Sequence, residues 1–143
     1  MSSFTKQYTD EEMNEALGAL LSEGESLETA VYCVFKATGF FASYYRQMIT
    51  GYIGITDKER IVSCKYGVVQ DSSAVYNMDD ITSVKIQSVI LGQSLVTLIF
   101  NSDKKQTLKF QVAPKVVGQK LPDQERNAEK LIEILENKKK MLE

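Results

Sequence analysis

Between Thr29 and Val112 the chain repeats in short apolar–polar alternations, cut by polar turns of a few residues. A period of two belongs to strands with one buried face. Turns that short force neighbouring strands to run antiparallel. The runs are Thr29 to Thr38, Gly51 to Thr56, Glu59 to Tyr66, Ser73 to Met78, Ile81 to Val89, Leu95 to Phe100 and Gln106 to Val112. In the first, Val31, Cys33, Phe35 and Ala37 alternate with Tyr32, Val34 and Lys36. In the third, Val62, Cys64 and Tyr66 stand against Ser63 and Lys65. In the last, Leu108, Phe110 and Val112 face in. Leu95 to Phe100 is almost continuously apolar, as a strand buried on both faces would be. Gly51 and Gly54 lie inside a strand, where glycine marks close packing or a bulge. Seven twisted strands with one apolar face curl into a barrel or a pair of sheets.

Helical spacing flanks the strands. Thr9 and Glu12 have the spacing of a capping box, with Asp10, Glu11 and Glu12 at the positive end of the helix dipole. Met13, Ala16, Leu17, Leu20 and Leu21 then form one stripe, which predicts a helix from about Asp10 to Ser22. At the other end, Asp123 is placed to cap a helix whose stripe is Ala128, Leu131, Ile132 and Leu135. One apolar stripe needs one apolar surface, and an open barrel end supplies it.

With 143 residues, the chain reads as one folding unit with a core of its own. Its net charge of -2 gives no electrostatic footprint for nucleic acid. Histidine is absent, and with it the commonest general base and zinc ligand. Cys33 and Cys64 sit in separate apolar runs and read as buried, reduced thiols, with a disulfide as the minor reading. No carboxylate pair has a second ligand cluster, and Ser63 and Cys64 have no base beside them, so no catalytic or metal site and no cofactor are expected. The N-terminal residues lack the apolar centre of a signal peptide, and no apolar run reaches a membrane span, so the expected location is cytoplasmic.

The segments Gly51 to Ile61, Met78 to Val84 and Asn127 to Leu135 together resemble the small bacterial domains of the pleckstrin-homology (PH)-like superfold. The first resembles their strand-turn-strand hairpin, with Glu59 before Arg60 lengthening the turn by a residue. The resemblance covers about Ser26 to Asn137. It implies a mainly β fold: a seven-stranded, antiparallel, partly open barrel capped by a C-terminal helix, with an added N-terminal helix. The expected division is a helical extension over residues 1–25 and a PH-like domain over 26–143. The superfold hosts lipid binding, peptide binding and oligomer scaffolding, so it does not choose a function.

Phosphoinositide-binding members carry several basic residues in the loop after the first strand. Here Lys36 and Arg46 flank that loop with nothing basic between them, which disfavours specific phosphoinositide binding. The same loop carries Phe40, Phe41, Tyr44, Tyr45, Arg46 and Met48, with Ile49 after them. That stripe either covers a barrel mouth, docks the N-terminal helix, or forms an exposed patch for a partner or a second copy. Contact with a membrane surface would be weak, because one cation accompanies the apolar face. The preferred expectation is a non-enzymatic module that binds a protein, or itself, through a sheet edge or the aromatic patch. The alternative is a small-ligand or lipid site at the barrel mouth, lined by Phe35, Phe40 or Tyr44.

Overall fold

The computed structural model describes residues 8–36, 49–67, 71–116 and 118–143. Its elements are α1 (Asp10–Gly18), β1 (Leu27–Phe35), β2 (Ile49–Thr56), β3 (Arg60–Tyr66), β4 (Asp71–Asn77), β5 (Ile81–Ser88), β6 (Ser94–Asn101), β7 (Lys105–Val112) and α2 (Gln124–Leu142). The strands form one antiparallel sheet in the order β4-β3-β2-β1-β7-β6-β5. β1 joins its two halves by a narrow seam: among the described residues it pairs with β7 at Val34 and Phe35, and Lys36 N donates to Lys109 O at 2.8 Å. Seven antiparallel strands in one sheet with a closing C-terminal helix make this a mainly β fold, as the alternation predicts, and the arrangement is consistent with the PH-like fold that the resemblance implies.

Inside the curl, Val31, Cys33 and Phe35 meet Ile53 and Ile55, Val96, Leu98 and Phe100, and Leu108 and Phe110. Ala128, Leu131 and Leu135 of α2 close this core. A bulge between Ile81 and Ser83 shifts the phase of β5, so that Ile81 and Val84 both point inward. A second core lies on the outer face of the first half of the sheet. There Met13 and Leu17 of α1 press on Ala30, Tyr52, Val62 and Cys64. The two faces of β3 explain its composition: Ile61 and Ser63 are buried, and so are Val62 and Cys64. Cys33 and Cys64 therefore belong to different cores, and each is buried. Burial pushes the Cys33 thiol well above its ordinary pKa, which makes it inert.

Three sequence expectations need correction. α1 ends at Gly18, four residues before the predicted Ser22. Glycine is a poor helix former, and the chain leaves through hydrogen bonds from Leu20 N to Leu17 O and from Leu21 N to Gly18 O. The Thr9 hydroxyl caps the helix by accepting from Glu12 N at 3.0 Å. Asp123 makes no side-chain cap. Its carboxylate instead meets Arg126 at 3.3 Å. Finally, β6 is buried on one face only: Val96, Leu98 and Phe100 are interior, while Leu95, Thr97 and Ile99 are half-exposed. No described helix covers the outer face of that half as α1 covers the first.

The turns follow local chemistry. Glu59 adopts φ 55° after the tight turn at Asp57-Lys58, the left-handed residue that a three-residue hairpin loop requires. The extra residue before Arg60 is thus absorbed as a bulge. Gly51 is obligatory for packing: a Cβ there would lie 1.9 Å from the Cys64 carbonyl oxygen.

Candidate functional site

Phe40, Phe41, Tyr44, Tyr45, Arg46 and Met48 lie outside the described residues. The strand ends that hold their loop are described. Phe35 is 2% exposed, with its ring centre 6.4 Å from that of Phe110, so it is a core residue. The Lys65 amine stands 5.1 Å from the centre of the Phe35 ring, where burial lowers its pKa. On the outer face Tyr8 packs on Tyr32, Tyr52 and Tyr66 and shares a 2.6 Å hydrogen bond with the Thr50 hydroxyl. Burial pushes the Tyr66 phenol up to about 12. Burial, with the Glu12 carboxylate nearby, holds the Tyr52 phenol protonated as well.

A curled sheet has edges, and each edge strand carries a row of unpaired backbone groups. β1 faces this problem along the stretch it does not share with β7. Gln124, at the first turn of α2 and 1% exposed, solves it. Its side-chain oxygen accepts from Tyr32 N at 3.0 Å. Its side-chain nitrogen donates to Tyr32 O at 2.9 Å and to Ala113 O at 3.0 Å. One amide side chain thus takes the place of a strand residue. The Thr29 hydroxyl adds a 2.7 Å hydrogen bond to the Asn127 carbonyl, so α2 seals the gap.

β4 is treated differently. All seven of its residues pair with β3, from Asp71 opposite Tyr66 to Asn77 opposite Arg60. No described strand pairs with its other side. Asp71, Ser72, Ser73, Val75 and Asn77 are exposed, and Val75 is 41% exposed. Tyr76 turns inward and stacks on Phe100 with ring centres 4.8 Å apart, which fixes the strand against the barrel. The result is an anchored strand with a free outer row of amides and carbonyls.

A polar clamp holds the connection between α1 and β1 to the β2–β3 hairpin. The Glu25 side chain is fully buried. One of its oxygens accepts from Thr56 Oγ1 at 2.6 Å and Arg60 Nε at 2.8 Å. The other accepts from Ser22 N at 2.8 Å and pairs with the Arg60 guanidinium. The Arg60 contact, then the Thr56 and Ser22 hydrogen bonds, hold this carboxyl far below its ordinary pKa despite burial. Among the described residues, no group of three or more His, Cys, Asp or Glu side chains is placed to hold a metal ion. No described helix is long and apolar enough to cross a membrane.

Gln124 and Glu25 were not singled out from the sequence. Gln124 had a signal: it opens the stripe that continues through Ala128, Leu131 and Leu135, so a polar residue stands at a core position. Glu25 had none, since its partner Arg60 is distant in sequence.

No family model and no curated protein matches the chain significantly. Among solved structures, the fold is similar to the hSac2 domain from the human phosphoinositide phosphatase Sac2, with a TM-score of 0.55. The two are 10% identical, and the likeness covers 93% of this chain and 82% of that one. At that identity the likeness concerns the fold alone, and it does not bear on a bacterial origin.

Proposed function

We propose that this chain is a non-enzymatic interaction module that binds an extended protein segment, from another protein or a second copy, by adding it as a strand beside β4. The observation that carries this reading is the outer row of β4, unpaired among the described residues while the strand itself is held by β3 and the Tyr76–Phe100 stack. Backbone hydrogen bonds from such an edge supply affinity, and the alternate side chains supply selectivity. A lipid or small-ligand site at the barrel mouth is the second reading, and the neighbour's description as part of a phosphoinositide phosphatase keeps it in view. Phe35 speaks against it, because its ring is committed to the core.

The test uses peptides selected from a displayed library of extended sequences, mapped by amide chemical shifts. Selected peptides should perturb and protect β4 amides. At neighbouring strand positions the N–H groups point to opposite sides, so one of Ser73→Pro and Ala74→Pro removes an outward donor with little loss of stability. That variant should lose peptide binding. Peptides that map elsewhere, or binding indifferent to the proline, would refute strand addition. Light scattering during size-exclusion chromatography shows whether a second copy occupies the edge.

A further inference from the structure

A groove of about 340 Å³ runs between α2 and the far end of β7, on a different surface from β4. Val112, Pro114, Ala128 and Ile132 supply its apolar lining. Its wall is acidic: Glu125, Glu129, Glu133 and Glu136 line it from one side of α2. Spacings of four, four and three residues keep such side chains on one helix face. The row spans roughly 16 Å, about three turns of helix. All four glutamates are exposed, and none has an ion-pair partner among the described residues. No basic residue lines the groove.

The β5–β6 turn closes one end. Gly92 lines the groove and sits near Pro114, so that a Cβ on it would be 3.7 Å from the proline ring. The two residues before it are Ile90 and Leu91, 80% and 83% exposed. Leu91 is held at φ 62°, a left-handed conformation that costs a leucine energy and suits glycine or asparagine. A large apolar side chain on strained backbone, pointing into water, has no folding rationale in the described structure. It does have a binding rationale, because exposed apolar tips beside a groove are anchor positions.

We infer that this groove docks a cationic amphipathic segment of a partner protein, with its apolar face on Ile90, Leu91 and Ile132 and its lysines or arginines along the glutamate row. Charge selects the occupant. An acidic wall attracts and orients a basic segment and repels an acidic one. The same wall opposes anionic lipid, so the exposed tip is a protein contact rather than a membrane anchor. The inference stands whether or not the β4 edge is used.

The probe is a synthetic amphipathic peptide of about 18 residues, with leucines at helical spacing and lysines elsewhere. Its control carries glutamate in place of lysine. The full chain should bind the lysine peptide, with amide shifts at Gly92, Ser94, Val112 and along α2, and should ignore the control. Glu129→Gln with Glu133→Gln should weaken binding by about tenfold, with most of the loss disappearing at high salt. Leu91→Gly should weaken it several-fold while the domain remains folded, since glycine fits that backbone. Three results would each overturn the inference: no binding of the lysine peptide, shifts centred on another surface, or affinity unchanged in both variants. Binding to phosphatidylserine vesicles that exceeds peptide binding would overturn it in favour of a membrane.

Discussion

β1 and β4 both present a backbone edge, and the chain deals with them in opposite ways. Along β1 the gap is filled by Gln124, whose amide takes both Tyr32 backbone groups and the Ala113 carbonyl, while Thr29 ties down the helix behind it. Along β4 the strand is anchored from one side and left bare on the other among the described residues. An edge that matters only for folding can be closed once by the chain itself. An edge kept open carries the risk of unwanted pairing, and its polar, exposed residues Asp71, Ser72, Ser73 and Asn77 moderate that risk. The contrast makes β4 the open side of this half of the sheet, as β5 is the end strand of the other half.

The contrast can be broken most severely at Gln124. Gln124→Leu fills the same space but strands two Tyr32 groups and the Ala113 carbonyl, and should cost about 3–5 kcal/mol in urea unfolding. A loss below about 1 kcal/mol would mean that water or another side chain seals the edge equally well. The acid response of the Glu25 clamp comes next. A carboxyl whose folded pKa lies below its unfolded one stabilises the fold fully above the unfolded value. That contribution declines as pH falls below the ordinary glutamate range. The stability difference between the wild type and Glu25→Gln should therefore be greatest near neutrality and shrink as the pH is lowered through that range. A pH-independent difference would mean that the charge on Glu25 is immaterial.

Smaller effects sharpen the comparison. Leu91→Gly should stabilise the domain by about 0.5–1 kcal/mol, the relief of left-handed strain less the entropy of glycine. Heat denaturation would show this as a modest rise in Tm. Val75→Lys on the open edge should change stability by less than about 0.5 kcal/mol. It should nevertheless weaken any partner that adds a strand there, since an edge lysine blocks pairing. If Val75→Lys unfolds the domain, β4 is a sealed structural edge like β1.

Much of this fold was legible along the chain. Leu108, Phe110 and Val112 alternate and point inward, and Ala128, Leu131 and Leu135 form the stripe that closes the barrel. Turn chemistry marked the β2–β3 hairpin at Asp57-Lys58 and the β6–β7 hairpin at Asn101 to Lys104. Legibility failed where a residue's role depends on what lies across space. Leu95 to Phe100 reads as buried on both faces, but among the described residues only α1 brings a second layer, and it covers the other half of the sheet. Asp123 has the chemistry of a cap, yet Arg126 takes its carboxylate. The groove that the glutamates of α2 line exists only once β7 and the β5–β6 turn are placed beside them. The aromatic loop remains the strongest sequence signal for contact, and it falls outside the described residues.

Because α1 builds its own core on the outer face, β2 has a hydrogen-bonded neighbour on each side and packed side chains above and below. Local opening is hardest in such a strand and easiest at a sheet margin. Hydrogen exchange should therefore be graded across the sheet, slowest in β2, faster in β3 and fastest in β4. A segment joined to β4 would slow exchange at the margin first, and the residual slowing at β3 would measure how far one added strand stiffens the sheet beneath it.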